Sequence, residues 1–213
     1  MTASVAILDY GMGNLRSVEK AFEHVGAAAE VTSDGQRIAA ADGVVLPGVG
    51  AFPKAMGRIR ELGLDAAIAD RLDAGVPVLG ICLGLQLLFE SSTELGGADG
   101  LGFLPGQVDR LDSGGLKLPQ IGWNAVAWRR ASALCDELPP ASAMYHVHTF
   151  APRPARDVDV LGTATYGAEF ATAVERPPLY GVQFHPEKSG RHGLRLLANF
   201  ARICAGRRAP AAA

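Results

Sequence analysis

Short apolar runs alternate with stretches whose apolar positions recur at helical spacing, so the first half of the chain reads as parallel β–α units. Ser4–Leu8 predicts a buried strand that runs into the turn DYGMGN. Asn14 can then cap a helix over LRSVEKAFEHV, which Gly26 closes. Ala28–Val31 and Gly43–Leu46 predict the second and third strands, the latter ending in LPGVGAF. Phe52–Ala74 reads as helix with a break near Gly63, Val78–Ile81 as a fourth strand, and a helix starts at Leu83.

After about Ser91 the texture changes, and strands follow one another with short turns. They are expected at Gly106–Arg110, Ala125–Trp128, Ala143–His148, Val160–Thr165, Phe170–Glu175 and Leu179–Phe184. A mixed, partly antiparallel extension of the parallel sheet accounts for them. A last helix, Gly190–Ala205, sets Leu197, Phe200 and Cys204 on one face and stops at Gly206. One domain is therefore expected over residues 1–206, with a flexible tail over 207–213. No internal repeat is found.

Composition narrows the class. At 213 residues, 48% hydrophobic and 20% charged, the chain suits a packed globular enzyme. A net charge of −2 without a basic run argues against nucleic acid as a main partner. The opening MTASVAILDYG lacks the charge and apolar core of a secretory signal. The run Val76–Phe89 is too short to cross a bilayer, so no membrane association is expected. Three scattered cysteines, Cys82, Cys135 and Cys204, form no CxxC pair, which suits a reducing cytoplasm and leaves no zinc-ligand spacing.

One cysteine stands apart. In GICLGLQLLF, Gly80-x-Cys82-x-Gly84 follows a strand and opens a helix, the cysteine counterpart of the G-x-S-x-G nucleophile elbow. A free cysteine is more often buried packing. Here, however, the flanking glycines leave room for a sharp turn, and a helix N-terminus favours a thiolate. The Leu83 N–H would then face the oxyanion formed on a carbonyl. Pro47-Gly48-Val49-Gly50, at the end of the third strand, offers a second such donor, although a plain glycine turn fits it equally well.

A thiolate needs a base and a group to orient that base. His24 and His192 read as surface residues. His146 and His148 alternate along a strand and face one side, which suits a structural role better than a metal pair lacking a third ligand. His185, in YGVQFHPEKSG, ends a strand where open α/β sheets place their chemistry, and Glu187 can hold its tautomer.

With GICLGLQ and GVQFHPE in place, the chain resembles the class I (triad) glutamine amidotransferases. DYGMGN, LPGVGAF, PQIGWN, YHVHTF and HPEKSG make it similar to the glutaminase subunits of imidazole glycerol phosphate synthase, from about Val5 to Phe200. The resemblance implies an α/β fold: a flavodoxin-like open mixed sheet with helices on both faces. It implies hydrolysis of glutamine to glutamate and ammonia without a cofactor or metal, in the cytoplasm. The ammonia would pass to a (β/α)₈ cyclase subunit in a heterodimer that serves histidine biosynthesis. By motif, Cys82 would be nucleophile, His185 base then acid, and Glu187 its orienter. Gln86, Glu94, Thr149 and Phe150 would hold glutamine, with Glu94 twelve residues after Cys82. Gly50 and Leu83 would frame the oxyanion hole, and Asn14, Trp123 and Lys188 would lie near the cyclase. Where the family motif carries an aromatic residue, this chain has His146, which would border that interface.

Three other readings are weaker. The glutaminase partner of pyridoxal phosphate synthase would leave GWN unexplained and carries a different glycine motif after its third strand. Stress proteins with a cysteine elbow lack His-Pro-Glu. A metal module on His146, His148 and His185 has the least support.

Overall fold

The computed structural model describes residues 2–206; the expected tail at 207–213 lies outside them. Within that range the chain forms β1 (Ser4–Leu8), α1 (Leu15–His24), β2 (Ala28–Thr32), α2 (Gly35–Ala40), β3 (Gly43–Gly48), α3 (Phe52–Glu61), α4 (Leu64–Asp73), β4 (Val78–Cys82) and α5 (Leu83–Leu87). There follow β5 (Phe89–Ser92), β6 (Ala98–Asp99), β7 (Leu104–Arg110), β8 (Gln120–Trp128), β9 (Ala141–His148) and β10 (Phe150–Pro154). The last elements are β11 (Val160–Tyr166), β12 (Ala168–Arg176), β13 (Leu179–Val182) and α6 (Gly190–Gly206).

Nine strands make one sheet in the order β2-β1-β3-β4-β13-β12-β11-β8-β9. The pairs from β2 to β13 are parallel, and those from β13 to β9 antiparallel. The expected mixed extension is present. A second sheet, β10-β7-β5-β6, was not foreseen: its β5, β6 and β10 are short, and β5 is only partly buried, so they carry little period-2 signal.

Strand alternation explains the layers. Val5, Ile7, Val45 and Ile81 point to one face, where Phe22 of α1 and Leu197 and Phe200 of α6 cover them. Ala6, Leu8, Val44 and Leu46 point to the other, against Phe52, Met56 and Ile59 of α3 and Leu64 and Ile68 of α4. Both faces of the parallel half are covered, which is why its strands read as unbroken apolar runs. The break expected at Gly63 is real: its φ of +65° sets α3 and α4 apart.

Two local details differ from expectation. Asn14 holds the N-cap position of α1, but its side chain makes no cap bond. The six-residue α2 buries only Ile38, too little for a periodic pattern. Its start was legible in Asp34, whose carboxylate accepts from the N–H groups of Gln36 and Arg37 at 2.8 and 3.0 Å.

The order β3-β4-β13 matters most for function. Gly48 pairs with Cys82, and Ile81 with Val182, so three carboxyl ends from distant parts of the chain meet at one rim. The face beneath depends on α6, where Phe200 is fully buried and meets Phe22 edge-on at 6.2 Å. Phe200→Ala is expected to cost about 3–5 kcal/mol, read as a lower urea midpoint at constant m-value.

Candidate active site

Cys82 ends β4 with φ +55° and ψ −111°, outside the range L-residues favour, and α5 begins at the next residue. Such backbone typically costs about 1–3 kcal/mol and persists only where its surroundings impose it. Here they do. A Cβ on Gly80 would lie 2.8 Å from Gly84 O and from Leu85 N and Cα, and one on Gly84 would run into the Leu46 carbonyl. The two glycines let the turn close on itself and onto β3, and Cys82 stands at its tip.

The thiol is 6% exposed and faces a cavity of about 280 Å³. Every residue expected to hold glutamine or frame the oxyanion lines that cavity: Gly50, Leu83, Gln86, Glu94, Thr149 and Phe150. His185 and Lys188 line it as well. Glu187 lies behind, with Oε1 accepting from His185 Nδ1–H at 2.9 Å and its side chain 1% exposed. That bond leaves His185 Nε2 for other work. Burial alone would lower the pKa of His185, but hydrogen bonds and charge from Cys82 and Glu187 outweigh it and raise the pKa to about 10.

The other thiols differ. Burial pushes Cys135 up and Cys204 to about 12, so neither titrates in the neutral range.

Three residues at the site escaped the sequence reading. Gln183 is fully buried; its Nε2 donates to Cys82 Sγ at 3.8 Å, and its Oε1 accepts from Gln86 Nε2 at 3.0 Å. Its place two residues before His185 was the available signal. Ser189 accepts from the Tyr145 N–H at 2.9 Å and donates to the His185 carbonyl at 2.6 Å. The His185 N–H donates to Tyr145 O at 2.9 Å, so His185 is clamped to β9 through its backbone. Tyr10, buried in the first turn, donates to Pro47 O at 2.7 Å and ties that turn to the end of β3. Burial, and then the proximity of Cys82, push its hydroxyl pKa well up.

The glutamine-binding candidates already have protein partners. Gln86 Nε2 donates to Phe150 O at 2.9 Å. Glu94 Oε2 accepts from the Phe52 N–H at 2.8 Å, so this carboxylate also closes the start of α3.

The expected interface residues scatter. Trp123 is 60% exposed and meets Tyr145 edge-on at 6.0 Å, with Ile121 equally bare beside it. Lys188 stands at the cavity, and Asn14 lines a much smaller space behind it. His146 does not border a surface. It is fully buried between Phe170 and Phe184, where its ring fills an aromatic slot.

His146 Nδ1–H donates to Met144 O at 3.1 Å, and its Nε2 meets the Thr172 hydroxyl at 2.8 Å. Beside it, His148 Nδ1–H donates to Phe150 O at 2.9 Å. His146 is a structural ring, whereas His148 also lines the cavity at Cys82. Among the described residues no group of three or more His, Cys, Asp or Glu converges as metal ligands, and no helix is long and apolar enough to cross a membrane.

Burial lowers the pKa of His146 to about 4 and of His148 to about 3. Below their ordinary 6.5 the unfolded chain binds protons that the native state refuses. Stability therefore falls as pH drops through that window. His146→Phe is expected to lose about 1 kcal/mol at pH 7 through the orphaned Thr172 hydroxyl. It should also flatten the decline by about 1.4 kcal/mol per pH unit between pH 6 and 4.5. Urea titrations across that range check both.

A family model described as glutamine amidotransferase class-I matches residues 6–204. The "Imidazole glycerol phosphate synthase subunit HisH" of Moorella thermoacetica is 51% identical over 93% of this chain and 94% of that protein. The proteins of the same name from Bacillus cereus strain G9842 and Salinibacter ruber are each 48% identical over 92% of this chain and 93% of theirs. Among solved structures, PurLQS from Thermotoga maritima superposes with a TM-score of 0.75 at 18% identity, over 95% of this chain and 99% of that one. A crystal structure of a glutamine amidotransferase gives 0.74 at 19%, over 94% and 98%. At that identity the likeness is one of fold.

Proposed function

The chain belongs to the class-I glutamine amidotransferase family, and we infer that it is the glutaminase subunit of imidazole glycerol phosphate synthase. It hydrolyses glutamine to glutamate and ammonia for histidine biosynthesis. The observation that carries the reading is Cys82, held on a strained elbow at the cavity that His185 enters with Glu187 behind it.

The chemistry follows from that placement. His185 takes the thiol proton, and Cys82 Sγ attacks the side-chain carbonyl of glutamine. The oxyanion meets the N–H of Leu83, where α5 begins, and a second donor from the loop at Gly50. His185 returns its proton to the amide nitrogen, ammonia leaves, and a glutamyl thioester remains. Water, deprotonated by His185, then attacks the thioester, and glutamate departs as the thiol is restored. Glu187 keeps the proton on Nδ1 throughout and balances the imidazolium charge. Gln86, Glu94, Thr149 and Phe150 hold the α-amino and α-carboxylate end. Residues 1–206 work as one domain, without cofactor or metal.

The name of a subunit implies a partner, and the partner in this reading is a (β/α)₈ cyclase in the cytoplasm. It consumes the ammonia to make imidazole glycerol phosphate and aminoimidazole carboxamide ribonucleotide. Bare Trp123 and Ile121, with Lys188 at the cavity, supply an apolar and charged surface for its docking, with Asn14 near it.

Two experiments test this reading. Cys82→Ser is expected to abolish glutamine hydrolysis while the assembled synthase still uses free ammonium, whereas Glu187→Gln lowers kcat by about 10²–10⁴-fold. Glutamine-dependent turnover surviving in Cys82→Ser would sink the assignment. Glu94→Gln should raise KM for glutamine more than it lowers kcat, since the α-amino group lies far from the reacting carbonyl. A change in kcat alone would remove Glu94 from the binding site.

A further inference from the structure

Glu187 has two carboxylate oxygens, and the pair with His185 uses one. Oε2 is buried with no hydrogen-bond partner, in a side chain 1% exposed. An ionised oxygen in that position calls for a donor, because burial without one is costly. A small cavity of about 10 Å³, distinct from the glutamine cavity, is lined by both Glu187 and His185. That volume is about the least that admits one water molecule.

The other walls are Val18, Pro47, Gly48, Val49, Ile81 and Asn14. Only Asn14 among them has a side chain able to hydrogen-bond. Its Oδ1 makes no cap bond to α1, and its Nδ2 donors would be free of the cap in either case. Its Nδ2 hydrogens are the side-chain donors that share this cavity with Glu187.

We propose that Asn14 is a positioning residue for the catalytic dyad, holding Glu187 Oε2 through one water molecule in this cavity. The water donates one hydrogen to Oε2 and accepts from the Asn14 amide. Gly48 and Val49 line the same space. Glu187 is thereby held at both oxygens, by His185 on one side and by the first β–α turn on the other. The same water ties the turn DYGMGN and the Gly48–Gly50 loop to the charge that balances His185. The inference rests on Glu187 serving His185, as the function above has it.

The test is a double-mutant cycle on glutamine hydrolysis in the assembled complex, with partner at saturation. Asn14→Asp keeps the shape of the side chain but replaces the donor by a second negative charge. It is expected to lower kcat by about tenfold to a hundredfold with KM nearly unchanged, and to be worse than Asn14→Ala. In a Glu187→Gln background the carboxylate is gone and a donor replaces it. There Asn14→Asp should change kcat by less than about threefold. A purely structural role for Asn14 would reverse the order, with the isosteric Asp harmless and Ala damaging. A docking role would carry the same penalty into both backgrounds. Either result overturns the inference while leaving the triad intact. Full activity in Glu187→Gln alone would instead overturn the function on which it rests.

Discussion

The site depends on how closely one turn can approach a neighbouring strand. The β4–α5 turn lies against the end of β3 with no space for a Cβ at Gly84, which would strike the Leu46 carbonyl. Gly80 is as crowded from inside the turn. That closeness forces Cys82 into a positive φ, lifts its side chain into the cavity and starts α5 at the next residue. A larger residue at either glycine would push the turn away from β3 and lower the sulfur back toward the sheet. The strain at Cys82 is held there by the packing of α3, α4 and the sheet beneath it.

Electrostatics then divide the site into two regimes. Around His185 the neighbours are Cys82 and Glu187, and their hydrogen bonds and charge overcome a burial that would otherwise strip its proton. A few ångströms along β9, burial wins. Burial, with the neighbouring imidazoles adding to it, keeps the rings of His146 and His148 unprotonated far into the acid range, and their hydrogen-bond partners are neutral. Histidines of similar burial thus end on opposite sides of neutrality, because only one of them faces a carboxylate and a thiol. That contrast sets His185 apart from His146 and His148.

Hydrogen bonding joins the halves of the cavity. Phe150 O receives both the His148 ring N–H and the Gln86 amide, Gln86 continues to Gln183, and Gln183 reaches the sulfur. The wall that would grip the amino-acid end of glutamine is therefore continuous with the support of Cys82. On the other flank, Ser189 and Tyr145 hold His185 by its backbone rather than by its ring. The imidazole stays free to exchange protons while its position is set.

The elements with strong periodicity were legible by sequence alone. Strand β1 matches residue for residue, the break at Gly63 falls where expected, and the apolar face of α6 is buried as read. These depend on local patterns of burial and on glycine, both written in adjacent residues. So was the elbow, written in the spacing Gly80-x-Cys82-x-Gly84, although only the crowding at Gly80 comes from the turn itself and that at Gly84 comes from β3. Residue order could not tell that β13 would settle beside β4, bringing His185 to a cysteine about a hundred positions earlier. Nor could it tell that Gln183 would find the sulfur, that His146 would lie in the core, or that Asn14 would leave α1 uncapped beside Glu187. Those are contacts between segments far apart in the chain. Their geometry follows from strand order and sheet register, which emerge only when every layer packs at once.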